Sequence, residues 1–307
     1  MNQNPIKLDA GEEQFFTREL AHIKAQAYEV KHALLKAVDL IPVSTEAPSG
    51  SDTIIAQYYD GVGVAKIVAD FANDFPRVDV FGKEKIIKVR SLGDAYGYSI
   101  KEIRRSQKAG NRLETRRALT ARRAIDELVN KLAWLGDADY NIQGFINYPG
   151  ITEYVVPVGA GAGTTWASKT PTEILADVAG MLNAVIETTN GREVPDTLIL
   201  PIAQYNLLAF TPLGDNKDKT ILTFIRENYP QIRTIDWVQE LKGAGAMGVD
   251  RAMMYTRSPT HLTLEMPQLF EQFQPQAKGM EFEIVCHAEC AGVIVYYPLS
   301  VAFADGI

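Results

Sequence analysis

The 307 residues are 46% hydrophobic and 22% charged, which supplies one large or two modest domains with a real core. A formal charge of -7 excludes a general basic balance, so any contact with nucleic acid must be local. The most apolar late stretch, residues 291–304, is broken by Pro298 and Ser300 and is shorter than the roughly 20 residues that span a bilayer; no membrane segment is expected. The opening residues, Met1 to Lys7, are polar and lack the apolar centre of a signal peptide, so synthesis in a cytoplasm is expected.

Between Glu12 and Leu40, the residues Phe16, Leu20, Ile23, Ala27, Val30, Leu34 and Val38 recur in steps of three and four, which predicts a helix with one apolar stripe. The turn-rich segment Ser44–Ser51 then reads as a joint, so an N-terminal arm precedes the body. Residues 54–75 are apolar but interrupted by Asp60-Gly61 and Gly63, and Pro76 closes them. Val78–Phe81 and Lys85–Arg90 alternate on either side of Gly82-Lys83, which predicts a two-stranded hairpin with an exposed, charged ribbon.

A long helix is expected at 111–135. Ala118, Ala121, Ile125, Leu128, Leu132 and Leu135 step by 3, 4, 3, 4 and 3 and mark a narrow seam. At about 1.5 Å per residue the helix is a strut roughly 36 Å long. Arg122 and Asp126, Arg123 and Glu127, and Glu127 and Lys131 are four apart and can pair along its surface. Arg116, Arg117, Arg122 and Arg123 read first as a solvated, self-paired face, and second as contacts to phosphate or to a neighbouring subunit. A second helix opens at Thr170-Pro-Thr-Glu173, where Thr170 caps, Pro171 takes the first helical position and Glu173 completes a capping box; Asn190-Gly191 ends it. Short helices after Pro201 and Lys219 and strands at 197–200, 232–238, 251–255, 280–286 and 292–297 complete an α+β pattern without regular alternation.

Enzyme signatures fail on context. Gly243-Ala-Gly-Ala-Met-Gly248 is G-x-G-x-x-G, but a strand pattern follows it where a phosphate cradle needs a helix N-terminus. The glycines at 159, 161 and 163 lie about seven residues before the next helix, too far for that role. Asp137-x-Asp-x-Asn141 begins like a calcium loop, but Ile142 stands where glycine is required and Tyr148 where a bidentate glutamate belongs. Cys286 and Cys290 bracket His287 without a second ligand pair; on a strand, Cys286, Ala288 and Cys290 share one face, which reads as core. No cofactor, metal or catalytic residue is assigned.

Residues 94–151 are more specific. The run Tyr96-Gly-Tyr-Ser-Ile-Lys-Glu-Ile103, the arginine-rich helix, Leu135-Gly-Asp137 and Ile142-Gln-Gly-Phe-Ile-Asn-Tyr-Pro-Gly150 together resemble major capsid proteins of tailed phages, with the Hong Kong 97-type fold shared with encapsulins. The resemblance covers nearly the whole chain. It implies an arm at 1–50, an extended loop region at 51–105, a peripheral domain at 106–210 with the spine helix 111–135, an axial domain at 211–275, and closing strands of the peripheral domain at 276–307. It further implies a subunit that assembles with itself into pentamers and hexamers of an icosahedral head, with a portal, a separate scaffolding protein and weakly held double-stranded DNA as partners. Lys83, Lys85, Ile86, Ile87 and Val89 are the expected assembly residues, the apolar three gaining burial across subunit boundaries. Arg116, Arg117, Arg122 and Arg123 are the candidates for lumenal DNA contact. An encapsulin-type nanocompartment shell is the nearer alternative and a nucleotide-binding oxidoreductase the distant one. Substituting Leu128 on the seam by aspartate is expected to unfold the subunit.

Overall fold

The turn at the end of the long helix explains much of the architecture. In the computed structural model, which describes residues 33–63, 65–66, 77–109, 116–214 and 219–307, the spine helix runs Arg116–Trp134. The stripe from Phe16 to Val30, the stretch from 67 to Pro76 and the expected first turn at 111–115 lie outside the described residues. The chain folds back on the helix end: Phe145 N–H donates to Ala133 O (2.9 Å) and Ile146 N–H to Trp134 O (3.0 Å). These bonds satisfy carbonyls that a helix C-terminus leaves open. Gly136 has φ +70°, and a Cβ there would stand 2.4 Å from Ile142 O, so the motif around 135–144 requires its glycines for a close backbone crossing. Phe145 is thereby delivered between Trp134 (centroids 6.2 Å, stacked) and Tyr255 (5.0 Å, edge-on), and the Tyr255 hydroxyl donates to Leu40 O at 2.8 Å.

Ala121, Ile125, Val129 and Leu132 form the buried face of the spine helix. Its floor is a sheet in which Arg90–Ser99 pairs antiparallel with Glu281–Cys290 over ten residue pairs, flanked by Gln268–Gln272 and Gln276–Lys278. The expected seam is corrected by one position: Leu128 is 39% exposed and Val129 only 3%. The observed steps of 4, 4 and 3 follow a straight helix lying on a sheet; a strict 3-4 repeat suits a supercoiled partner, which is not what lies here. As the alternation required, Cys286, Ala288 and Cys290 face inward and are fully buried, while His287 meets Glu271 at 3.2 Å on the other face. The same core takes in Ala37, Leu40 and Ile41, and Val43–Ser44 pairs parallel with Leu264 and Glu265.

A second core lies on the sheet Thr152–Tyr154, Val301–Asp305, Arg251–Tyr255, Thr197–Leu200 and Thr234–Trp237. Helix Pro171–Thr188 opens with the expected capping box, Thr170 and Glu173 exchanging both bonds, and ends where Asn190 and Gly191 take positive φ. Its Ile174, Val178, Met181 and Leu182 pack with Leu198, Leu200, Met254 and Ala304. Inside this core Lys169 Nζ and Asp177 Oδ2 form a wholly buried ion pair at 2.6 Å, with the Trp166 indole N–H donating to the same oxygen at 3.0 Å.

These packings bear on four expected boundaries. Of the expected arm, residues from Leu35 onward belong to one compact unit with the rest of the chain. Within the expected extended loop region, Arg90–Ser99 is an edge strand paired along Glu281–Cys290 under the spine. The division at 210/211 cuts through the second core, which binds 171–188 to strands at 197–200 and 251–255. The closing strands also part company: Glu281–Cys290 lies beneath the spine, whereas Val301–Asp305 lies inside the second sheet.

Candidate assembly and nucleic-acid surfaces

The ribbon is built differently from the hairpin expected from the sequence. Asp79–Lys88 is one unbroken strand, with Gly82-Lys83 inside it, and its partner is the earlier strand Thr53–Val62, in register from Thr53 with Lys88 to Val62 with Asp79. The polar Gly-Lys pair makes no turn because Tyr59 stands directly opposite Gly82 and its ring covers the glycine, reaching 3.3 Å from the position of a Cβ.

Opposed residues share a face, so period two sorts the ribbon. At its root one face lies on the body: Ile87 is 7% exposed and packs with Ala56, Ala291 and Ile294, with Ile54, Tyr58, Val89 and Tyr296 around them. Ile87 therefore finds cover within the subunit and Val89 is half-buried beside it; their parity places them toward Ile294. Lys85 is also an anchor. Its ammonium donates to the Tyr148 hydroxyl at 2.5 Å, and that hydroxyl donates to Val295 O. Burial beside Tyr148 and Tyr296 pushes the Tyr58 hydroxyl up to about 12, so it stays protonated. The opposite face carries Ile55, Tyr59, Val80 and Ile86, all exposed; Ile86 is 63% exposed. Beyond Tyr58 the inner face leaves the body too, and Phe81 (60%) and Val62 are bare. Lys83 is exposed on this projecting part.

The four candidate arginines separate in space and role. Arg117 is committed inside the subunit: its guanidinium donates to Gly97 O (2.5 Å) and Glu102 Oε1 (3.0 Å) and lies over the Tyr98 ring. These bonds tie helix Ile100–Ala109 to the spine, and the guanidinium remains 40% exposed. Hydrogen bonds from Arg117 and from the Ser99 N–H hold the Glu102 carboxyl at about 2, well below its ordinary 4.5. Arg123 Nε donates to Glu127 Oε1 at 2.6 Å, as the spacing of four predicts, and Arg122 sits 3.8 Å from Asp126 and over Phe270. Arg116 is exposed at the helix start.

A basic feature escaped the sequence reading. On helix Ile100–Ala109, Lys101, Arg104, Arg105 and Lys108 fall at i, i+3, i+4 and i+7, all exposed, while Ile103 and Ser106 are half-buried and Glu102 reaches Arg117. The signal was present as a polar periodicity, but a search for apolar stripes passes over it. Residues 100–123 hold nine of the chain's 31 basic side chains and two of its 38 acidic ones, so the local charge opposes that of the whole.

Other polar groups serve the fold. Asp305 takes both Arg251 Nε and Nη2 and the Ala246 N–H, pinning the glycine loop to the last strand. That loop closes in a single tight turn at Ala246–Gly248 and leads into strand Arg251–Tyr255, so no helix N-terminus is presented to a phosphate. Burial raises both thiols, Cys290 to about 11, which leaves them protonated and poor nucleophiles. Among the described residues no group of three or more His, Cys, Asp and Glu side chains is disposed to hold a metal ion.

Residues 63–307 match the family model described as major capsid protein. This chain belongs to that family. Its fold is of the Hong Kong 97 type, and solved structures agree over nearly its full length. The capsid of Myoviridae phage XM1 superposes with a TM-score of 0.78 at 17% identity, covering 94% of this chain and 98% of that one. Mycobacterium phage Bobi gives 0.61 at 12% identity, with 97% and 99% covered. A virus-like particle from Pyrococcus furiosus gives 0.55 at 14% identity, with 87% and 91% covered. No curated protein sequence matches. A major capsid protein is a structural subunit of a shell made of many copies of itself, and the bare ribbon and the self-sufficient body both fit that role.

Proposed function

We propose that this major capsid protein builds the pentamers and hexamers of an icosahedral phage head enclosing double-stranded DNA, and that it performs no catalysis. The observation that carries the reading is the ribbon. A two-stranded ribbon is marginal in water by itself, and this one projects Ile55, Tyr59, Val80, Phe81 and Ile86 into solvent. Those side chains gain burial when the ribbon lies across a neighbouring copy, and heterologous contacts between identical chains close into rings and shells. In this reading the spine helix with its sheet is the peripheral domain, and the core around 171–188 and 197–256 is the axial domain. A portal and a separate scaffolding protein are its partners, synthesis occurs in the host cytoplasm, and the virion is its destination.

The buried, protonated thiols and the carboxylates held by arginine and backbone, such as Glu102 and Asp305, support the non-catalytic reading. The phage head is preferred to a nanocompartment because of the basic helix, which suits a polyanionic content. Electron microscopy of the expressed protein, alone and with its genomic neighbours, tests the proposal. Closed shells of hexamers and pentamers are expected; a protein that stays monomeric at high concentration and with those neighbours present would refute it.

A further inference from the structure

We propose that Lys101, Arg104, Arg105 and Lys108 on helix Ile100–Ala109 form a contact site for the phosphate backbone of duplex DNA, and that they mark the lumenal face of the subunit. The site rests on the capsid reading and adds its residues and its orientation. Four charges at i, i+3, i+4 and i+7 line one face over about 10 Å of helix, a length along which duplex DNA carries about six negative charges.

Two further observations point to a polyanion. The one acidic residue of the helix, Glu102, is turned away: it caps the helix by accepting from the Ser99 N–H (3.0 Å) and is neutralised by Arg117. None of the four cations has an ion-pair partner among the described residues, whereas Arg117, Arg122 and Arg123 on the adjoining helix all do. Among the described side chains the exposed face also offers nothing apolar, its other member being Gln107. A protein partner needs a desolvated apolar centre to bind stably, and a membrane surface needs apolar side chains to insert. Phosphates need only charge, and the face offers only charge. Contact of this kind is sequence-independent and screened by salt, which suits DNA that must be held and later released.

The test compares full-length protein with K101Q/R104Q/R105Q/K108Q and with a control of equal charge, R192Q/R226Q/K242Q/R257Q, whose exposed cations are scattered. Binding of a fluorescent duplex fragment to unassembled protein is measured against salt, and shells are counted by electron microscopy. The helix variant is expected to assemble normally and to flatten the plot of log affinity against log salt by about 3.6, at about 0.9 per phosphate contact. The control is expected to leave the slope nearly unchanged. R104K/R105K, which keeps the charge number, is expected to keep the slope; loss of it there would overturn the point-charge contact. An unchanged slope in the helix variant overturns the site while leaving the shell reading intact. A helix variant that stays folded by circular dichroism but fails to assemble also overturns it, because the stripe would then dock on another protein copy. Wild-type protein that binds duplex through these residues but never forms shells would instead sink the capsid-head reading and leave the site standing.

Discussion

The ribbon and the spine-helix floor are both antiparallel pairings of ten residues in unbroken register, yet they serve opposite ends. On the floor, alternation is used on both faces: Cys286, Ala288 and Cys290 vanish under the helix, and His287 and Glu289 meet Glu271 and the Gly50 N–H on the other side. On the ribbon only the root of one face is used, at Ala56 and Ile87, and the rest is bare. Backbone pairing is the same in both, so the difference lies in what the side chains find to cover them. The lesson is that unfilled burial is a property of place, not of residue type, and it is the ribbon that reports the missing neighbour.

The sharpest way to break the comparison is to put a charge on each region. Val129→Asp, at 3% exposure on the spine, buries an unpaired carboxylate and is expected to abolish the cooperative thermal transition. Leu128→Asp, one residue away at 39% exposure, is expected to cost about 1 kcal/mol or less in the same circular dichroism melt, against the sequence-based expectation that it unfolds the subunit. Equal loss in both would mean that the buried face is misplaced.

Next in size is the ion pair of the second core. Lys169→Met alone leaves Asp177 buried without its cation and is expected to cost about 3 to 5 kcal/mol; Lys169→Met with Asp177→Leu is expected to recover most of that in urea titration. A double variant no better than the single would show that the carboxylate does not carry the penalty.

On the ribbon the two isoleucines of one dipeptide should separate stability from assembly. Ile87→Ala is expected to lower stability by about 2 kcal/mol, while Ile86→Asp with Phe81→Asp should leave the melt within about 0.5 kcal/mol and eliminate shells in micrographs. Shells of normal yield from the latter variant would remove the ribbon from the assembly surface.

The smallest effect concerns Glu102. Its folded-state pKa, about 2, lies below its ordinary 4.5, so the carboxylate stabilises the fold fully above 4.5 and loses that contribution as pH falls toward 2. The pair with Arg117 is exposed and salt-screened, so the effect is slight. Melts of Glu102→Gln should show a weaker dependence on pH than wild type only within that window; an identical dependence would count against the pairing.

Much of this was legible in residues alone. The capping box at Thr170 and Glu173, the stop at Asn190-Gly191, the inward thiols and the Arg123–Glu127 pair followed from local rules, because each depends on residues within a turn or two. The glycines of 135–144 could be recognised as a motif but not explained, since their reason is a backbone crossing at 2.4 Å that only the folded chain brings about. The hairpin was misplaced because Gly82-Lys83 has turn chemistry, and only the strand opposite, with Tyr59 over the glycine, shows that no turn is made there. The basic stripe of 101–108 was readable and unread, having no apolar residues to announce it.

By itself the sequence determined the α+β class, the order of the main elements, their caps and the capsid-like pattern, since these are set by periodicities and turn residues acting at short range. Tertiary structure alone decided which strand pairs with which, where the two cores divide and which isoleucine of Ile86-Ile87 is bare. Those outcomes depend on contacts between residues far apart in the chain, such as Ile87 with Ile294 and Arg90 with Cys290, and no local pattern encodes the partner.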